Sequence, residues 1–308
     1  GETQLSREGG GVSRGVTVLG SLNLDLILNV LHLPRAGETM HSLSLERQPG
    51  GKGANQAAAC AALGRPPRMI GAVGADDAGA FMRSTLLERG VDVSAVRVLD
   101  GVATGQAYIH VAADGENTIT LHGGANQQLG EPELNALRVA LSGANVLLLQ
   151  LEIPLRVNVQ AAELARAAGV TVILDPAPAV ENLPADLLAS VDILTPNEHE
   201  AQTLTGEADE QAAARKLLTL GVQNVILKRG SRGALLLNAQ GAKEFQAPAV
   251  KVISTVGAGD TFNGALAAAL ARGEPLARAT DFAVKAASLR VSRPPGYGHL
   301  PTGADTLP

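Results

Sequence analysis

The sequence predicts an α/β protein with a mostly parallel central sheet flanked by helices and a small protruding β-sheet that acts as a lid. Two observations predict the central sheet. From about residue 130 onward, short runs alternate with Ala- and Leu-rich stretches, and these short runs are apolar throughout. Such strands, separated by helices, are typical of a parallel sheet covered on both faces. A third observation, a period of two within the first 125 residues, predicts the small sheet.

The central sheet is expected to begin with a buried strand at VTVLG, residues 16–20. Further strands are predicted at residues 145–151, 170–175, 191–197 and 224–230. Between them, apolar residues recur with helical spacing in EPELNALRVALSG, LRVNVQAAELARAAG and ADEQAAARKLLTLG. Ligands bind beyond the carboxyl ends of the strands in sheets of this kind, so we expect the functional residues there.

The lid strands are expected at about residues 22–47 and 105–123. Apolar and polar side chains alternate over residues 22–30, which describes a half-exposed strand. Residues 106–123 predict a hairpin, and Asp114-Gly115 at its centre suits a type I′ turn. A sheet with one polar face above a ligand cleft can close over the ligand.

The chain has 308 residues, of which 45 % are hydrophobic and 18 % charged. This composition is typical of a globular protein. A formal charge of -5 argues against a nucleic-acid or membrane partner. Cys60 is the only cysteine, which excludes an internal disulfide and fits a reducing compartment. Residues 1–15 are polar and Gly-rich and predict a disordered tail without a secretory signal. We therefore expect one domain over residues 16–308 and a cytoplasmic location.

The first candidate site lies in KVISTVGAGDTFNGALAAALARG, residues 251–273. A strand is expected to end at Thr255, and Gly257 and Gly259 then allow backbone amides to approach a ligand before a long helix. Such amides can bind phosphate oxygens, and Asp260 beside them can take the proton of an attacking hydroxyl. The helix N-terminus should favour ionisation of Asp260. The alternative is a plain glycine turn with Asp260 as the helix N-cap.

The second candidate site is the loop RQPGGKGANQ, which precedes another Ala-rich helix. Glycines that allow close backbone approach, together with the Asn55 amide, suit hydrogen bonds to sugar hydroxyls. The spacing is not that of a Walker A loop. A glycine turn without a binding function is the alternative.

The third candidate site is DILTPNEHEAQTLTG, residues 192–206. Thr195 and Glu198 fit a helix capping box, which would give Glu198 a structural role. Asn197 and Glu200 are three residues apart and so share a helix face. They could hold a Mg²⁺ ion through water.

Seven segments in order resemble the ribokinase family of carbohydrate kinases over essentially the whole chain from residue 16. They are GSLNLD (20–25), PGGKGAN (49–55), LQLEIP (149–154), DPAPA (175–179), TPNEHEA (195–201), GSRG (230–233) and GAGDTFNGA (257–265). The resemblance implies transfer of a phosphoryl group from ATP, with Mg²⁺, onto a sugar hydroxyl. The GGKGAN loop favours D-ribose as acceptor and D-ribose 5-phosphate as product. A kinase for a nucleoside, 2-deoxyribose or a ketohexose is the alternative, because it shares every residue on the phosphate side.

The resemblance implies a role for each matching residue. The sugar would be bound by Asn23, Asp25, Gly51, Lys52, Asn55, Glu152 and Asp260. The nucleotide would contact Asn197, Lys228, Gly230 and Gly259. The anion hole would be formed by Gly257, Ala258 and Gly259 with Asp260 as catalytic base, and Mg²⁺ would be held through water by Glu200 and Asn197. The lid is also implied to pair with the lid of a second subunit, which predicts a homodimer.

The chain departs from the family at the site of an activating K⁺ ion, which corresponds to Ser254 and Val256. Ser254 stands where the family has an aspartate ligand, and His299 stands where a small residue is expected. A neutral serine and a bulky histidine would bind a cation poorly. We therefore expect K⁺ activation to be weakened or lost.

Overall fold

A computed structural model describes residues 15–306 of the chain. The predicted tail thus lies outside the described residues except for Gly15, which opens the first strand. The central sheet has nine strands in the order β13-β12-β11-β10-β9-β8-β1-β4-β5. Their bounds are β1 Gly15–Leu19, β4 Arg68–Gly74, β5 Asp92–Leu99, β8 Ala144–Leu149, β9 Thr171–Leu174, β10 Ile193–Leu194, β11 Asn224–Lys228, β12 Ala234–Asn238 and β13 Gly241–Phe245.

Helices cover both faces of this sheet. Their bounds are α1 Lys52–Ala62, α2 Asp77–Glu88, α3 Glu131–Ala140, α4 Leu155–Ala167, α5 Ala185–Ala189, α6 Glu198–Thr205, α7 Glu210–Thr219, α8 Ala258–Ala271, α9 Leu276–Val291 and α10 Gly303–Thr306. Successive residues of β8 enter opposite cores, since Leu148 belongs to one buried cluster and Leu149 to the other. The predicted parallel sheet, buried on both faces, is therefore confirmed.

The sheet is parallel from β5 to β11, and β12 and β13 extend it antiparallel. The strand expected to end at Thr255 is absent, so this prediction is wrong. The amides of Ile253 and Ser254 both donate to the carbonyl of Val291 at the end of α9. This segment lies against a helix end and not against a neighbouring strand.

The small sheet contains four strands in the order β3-β2-β6-β7. Their bounds are β2 Asn23–Val30, β3 Ser44–Gly50, β6 Gly105–Ala112 and β7 Asn117–His122. The hairpin of β6 and β7 is confirmed, but its type I′ turn is wrong, because only Gly115 has a positive φ (90°) and Asp114 does not. The Gly115 amide donates to the Ala112 carbonyl, which is typical of a type I turn closed by a left-handed glycine.

Two further sequence features can be compared with the structure. The Cys60 side chain is fully buried, its thiol donates to the Arg65 carbonyl, and burial raises the pKa of this thiol to about 12. It is therefore an inert core residue. Over residues 15–306, no helix is both long and apolar enough to span a membrane.

Candidate active site

The N-termini of α1, α6 and α8 surround the candidate site. Helix α1 begins after Gly51, whose φ of 88° belongs to the left-handed region, and a Cβ here would stand 2.8 Å from the Asn23 amide nitrogen. Only glycine therefore allows α1 to start directly beside the first lid strand.

Asp260 is the third residue of α8, and it does not cap that helix. Gly257 is the N-cap, with a left-handed φ of 80° and no side-chain capping bond. The Asp260 side chain instead accepts hydrogen bonds from Asn55 Nδ2 at 2.9 Å and from Gln56 Nε2 at 3.2 Å. Asp260 as an N-cap is thus wrong. Its carboxylate is held toward α1, between the helix starts.

A buried chain of amides fixes the orientation of Gln56. Gln150 Nε2 donates to Gln56 Oε1 at 2.8 Å, so Gln56 Nε2 must face the carboxylates of Asp260 and Asp175. Gln56 and Gln150 are almost fully buried. Sequence reasoning missed both residues, because a glutamine within an Ala-rich helix carries no distinctive pattern.

Asp25 faces Asp260 from the lid strand β2. Burial, followed by the charges of Glu152 and Asp260, raises the pKa of Asp25 to about 7, and Lys52 opposes the shift. The carboxylate packs directly against Gly50, where a Cβ would overlap it. The site therefore holds a carboxylate at a position where it titrates near neutrality.

Burial also raises the pKa of Asp260, and the charge of Lys52 opposes this shift. The expected stabilisation of the ionised form by the helix N-terminus is therefore outweighed by desolvation. Burial by itself would lower the pKa of Lys52, but neighbouring carboxylates, Asp260 first among them, raise it. Lys52 is thus a firmly protonated cation between the carboxylates.

Glu152 links the segment GSLNLD (20–25) to the loop PGGKGAN (49–55) through hydrogen bonds. Its Oε1 accepts from Ser21 Oγ at 2.7 Å and from the Lys52 amide at 2.8 Å. Asn23 is also buried, and its Oδ1 accepts from Asn126 Nδ2 at 2.7 Å. Glu152 therefore holds the start of α1 against the segment that leads into the first lid strand.

Tyr297 enters the same cleft from the C-terminal segment. Its hydroxyl donates to Asn55 Oδ1 at 2.8 Å, so that Asn55 links Tyr297 to Asp260. Burial, followed by the charges of Asp260 and Asp25, raises the pKa of Tyr297 well above its ordinary value. Sequence reasoning missed this residue, because only the fold brings residue 297 to the start of α1.

A cavity of about 750 Å³ opens on the other side of Asp260. The four predicted nucleotide residues, Asn197, Lys228, Gly230 and Gly259, all line it. Its far wall is largely apolar, with Phe262, Val284 and Val291. A mostly apolar cavity with a few polar groups at one end suits a molecule that carries a flat base and phosphates.

Lys228 Nζ lies 3.5 Å from Asp175 Oδ1, and it would be 3.2 Å from a Cβ on Gly259. Asp175 also accepts from Gln56 Nε2 at 3.0 Å. Lys228 is therefore a cation placed against the start of α8. Asp175 orients it, although the sequence had suggested no role for that residue.

The predicted capping box of Thr195 and Glu198 is wrong, because α6 begins two residues later than it requires. Asn197 is the N-cap, and it forms the capping box with Glu200. Asn197 Oδ1 accepts from the Glu200 amide at 2.7 Å, and Glu200 Oε1 accepts from the Asn197 amide at 2.9 Å. Glu198 instead pairs with Arg232 on the surface.

Known proteins support the same conclusion as this geometry. The chain matches the sequence pattern of the pfkB family carbohydrate kinases over residues 13–302. It is 39 % identical over 302 residues to a ribokinase from Schizosaccharomyces pombe, covering 93 % of this chain and 95 % of the relative. The chain belongs to the pfkB family of carbohydrate kinases. The predicted resemblance is confirmed, and the chain is a phosphotransferase that acts on a sugar hydroxyl.

Two further proteins similar to this pfkB family kinase differ in the sugar that their names give. A solved ribokinase from Arabidopsis thaliana, complexed with ribose and ATP, superposes with a TM-score of 0.88 at 35 % identity, covering 96 % of this chain and 98 % of its own. A deoxyribokinase from Salmonella typhi is 34 % identical and covers 82 % of this chain and 84 % of its own.

The residues present fit a Mg²⁺ ion bound mainly through water and substrate phosphate. Within residues 15–306, no group of three or more His, Cys, Asp and Glu side chains could hold a metal by itself. Mg²⁺ commonly uses one or two carboxylates and keeps much of its water. Glu200 is the suitable carboxylate beside the nucleotide cavity. Asn197 Oδ1 is used for capping, which leaves its Nδ2 as a donor suited to phosphate.

The residues of the monovalent-cation site of this pfkB family kinase do not fit a bound K⁺ ion. Ser254 Oγ accepts from the Val256 amide at 3.2 Å, and Val256 is 65 % exposed. Ser254 stands in place of the aspartate ligand that the resemblance implies, and His299 is exposed to solvent. The segment thus lacks an anionic ligand for a cation.

Proposed function

We propose that this kinase transfers the γ-phosphoryl group of ATP onto D-ribose and releases D-ribose 5-phosphate and ADP. One observation carries the proposal: the Asp260 carboxylate is held by Asn55 and Gln56 of α1, while Gly259 beside it lines the cavity of about 750 Å³. A carboxylate at that junction can reach a hydroxyl on one side while backbone amides meet a phosphate on the other.

The sugar-binding side is proposed to consist of Asn23, Asp25, Gly51, Lys52, Asn55 and Glu152. Asp25 can accept from two adjacent sugar hydroxyls, and Lys52 can donate to a third oxygen. The side-chain amides of the buried Asn23 and the half-buried Asn55 are already held by Asn126 and Tyr297. A cleft oriented in advance binds a polyol without first ordering its own side chains.

The phosphate side is proposed to consist of the amides of Gly257, Ala258 and Gly259. Together with the dipole of α8 they would stabilise the charge that spreads over the transferring phosphoryl oxygens. Lys228 and the side-chain Nδ2 of Asn197 would contact the nucleotide phosphates. A Mg²⁺ ion held through water by Glu200 would neutralise part of the phosphate charge when bound.

Asp260 is proposed to be the general base. The 5-hydroxyl oxygen attacks the γ-phosphorus, the bond to the bridging oxygen breaks, and ADP leaves with the electron pair. The hydroxyl proton passes to Asp260. Because burial raises the pKa of Asp260, this carboxylate is a stronger base than an ordinary exposed aspartate. The charge of the neighbouring Lys52 opposes this rise and favours the ionised form of Asp260.

The small sheet is proposed to close over the sugar and to exclude water that would otherwise hydrolyse ATP. Asp25 lies on the same sheet face as Ile119 and Leu121, because the strand register places these residues on one side. Ile119 and Leu121 are 57 % and 52 % exposed. Such an apolar surface fits a homodimer in which the lid sheets of two subunits cover each other.

We further propose a cytoplasmic location, which suits the single buried thiol.

The second candidate acceptor is 2-deoxyribose, which the deoxyribokinase relative favours. The two sugars differ only by one hydroxyl, so discrimination depends on a donor or acceptor that the 2-hydroxyl alone satisfies. A site built to hydrogen-bond a hydroxyl can reject the analogue that lacks it by a large factor, because its polar groups then stay unpaired.

An acceptor panel tests the proposal. ATP consumption is measured with D-ribose, 2-deoxyribose, fructose, adenosine and pseudouridine under identical conditions, and the sugar product is identified by mass spectrometry. We expect kcat/KM for ribose to exceed that for 2-deoxyribose by about 100-fold or more. Equal or faster turnover of another acceptor would contradict ribose as the substrate and leave the kinase activity itself intact.

A further inference from the structure

The side chain of Arg290 is a buried cation that the mechanism above does not use. It lies in the last turn of α9, and the residue is 3 % exposed. Burial, followed by the charge of Arg293, lowers the pKa of Arg290, but an arginine stays protonated in proteins. A charge removed from water normally has a carboxylate partner. Among residues 15–306, no carboxylate lies at ion-pair distance from Arg290.

The guanidinium group lies directly behind residues 254–257, which we call the anion-hole loop because they lead into the anion hole of residues 257–259. Arg290 Nε is 3.5 Å from the point where a Cβ on Gly257 would stand. On its other side, Arg290 Nη1 donates to the carbonyl of Pro294 at 2.7 Å. The same helix end binds the loop through its backbone, since the Val291 carbonyl accepts from the amides of Ile253 and Ser254. Arg290 therefore lies between the C-terminal segment and the loop that begins α8.

This location is the one where the resemblance implies a monovalent cation, and where Ser254 has removed the anionic ligand. A bound K⁺ ion would meet a fixed positive charge with no carboxylate to offset the repulsion. A fixed guanidinium can supply the positive charge that the K⁺ ion would supply, because it lies beside the loop that receives the phosphoryl group.

We propose that the Arg290 guanidinium is a built-in cation that positions the anion-hole loop of residues 254–257 and makes turnover independent of K⁺. Arg290 is a positioning residue, since it acts through the backbone of Gly257. The inference rests on the proposed phosphotransfer and adds that Arg290 determines whether this reaction depends on K⁺. The plain alternative is that Arg290 only stabilises the C-terminus of α9 through the helix dipole.

The test compares wild type, Arg290→Lys and Arg290→Gln in KCl and in tetramethylammonium chloride at equal ionic strength. Arg293→Gln is the matched control, since Arg293 lies three residues away and pairs with Asp305 outside the loop. Wild type is expected to show the same kcat in both salts. Arg290→Gln keeps a polar side chain but carries no charge, and its kcat is expected to fall by about 10- to 100-fold with an unchanged KM for ribose. Arg290→Lys should keep most of the kcat.

A rescue experiment separates charge from helix stability. Arg290→Ala leaves a gap behind Gly257, and millimolar guanidinium chloride is expected to restore part of its kcat. A role in helix stability alone predicts a lower melting temperature with little loss of kcat at a temperature where the variant is folded. That result overturns the proposal, as does wild-type kcat in Arg290→Gln, or strong K⁺ stimulation of the wild type. A wild type that phosphorylates no acceptor in either salt would instead contradict the proposed function.

Discussion

Replacing Asp260 with Asn is expected to lower kcat by about 10³- to 10⁴-fold, while the affinities for ATP and ribose stay close to those of the wild type. Asn has the size and shape of Asp, and its side-chain oxygen can still accept from Asn55. It cannot take the hydroxyl proton as the oxygen–phosphorus bond forms. Steady-state kinetics give kcat, and calorimetric titration of ribose and of ATP gives the two affinities.

The pH dependence of kcat/KM gives a second test of Asp260 as the base. Because burial raises the pKa of Asp260, kcat/KM of the wild type should fall as pH drops through that raised pKa, and Asp260→Asn should lack this limb. Asp281→Asn is the matched control, since Asp281 is on the surface of α9 and pairs with Lys285. A kcat of Asp260→Asn equal to that of the control would remove Asp260 from the role of base.

The second large effect is expected for Asp25→Asn, which should lower kcat/KM for ribose by about 100-fold or more. An ionised carboxylate accepts from two sugar hydroxyls, whereas an amide has one acceptor oxygen and turns its NH₂ group toward the other hydroxyl. The loss should appear mainly in the ribose affinity, because Asp25 does not lie at the nucleotide cavity. Calorimetric titration of ribose measures it.

The same substitution should stabilise the folded protein at neutral pH. The pKa of Asp25 is raised from 3.8 to about 7 in the fold, so the folded protein holds a proton that the unfolded chain has lost. The free energy of unfolding therefore falls as pH rises across this window. Asn does not titrate, so the melting temperature of Asp25→Asn should exceed that of the wild type above pH 7 and match it near pH 4. An equal or lower melting temperature of the variant above pH 7 would contradict this prediction.

The sequence predicted the layout of the fold because its local patterns agree with the architecture. The apolar runs that form β8, β9, β10 and β11 are typical of buried strands, and the alternation in residues 22–30 marked the start of the lid. The strand predicted to end at Thr255 was wrong, because the β-branched residues of 251–255 favour a strand by propensity. Tertiary contact decided otherwise, because the Val291 carbonyl binds two amides of that segment.

The candidate site was predicted to the extent that its residues lie in glycine-bearing loops before helices. Asp25, Asn55 and Asp260 belong to such loops or to the lid strand, and the fold brings them together. Three further residues contact Asp260 directly or through a neighbour, namely Gln56, Gln150 and Tyr297. They lie far from Asp260 in the sequence, so no local sequence pattern predicts them. Arg290 was missed for the same reason, because its importance lies in its burial behind Gly257 and in the absence, among the described residues, of a carboxylate partner.

The position of the sugar relative to Asp260 tests the central claim most directly. A crystal structure of the complex with D-ribose and a non-hydrolysable ATP analogue would measure it. We predict the 5-hydroxyl oxygen at hydrogen-bond distance from an Asp260 oxygen, about 2.6–3.2 Å, with the terminal phosphate at the amides of residues 257–259. A sugar bound with every hydroxyl out of reach of Asp260, or a phosphate bound away from those amides, would contradict the account.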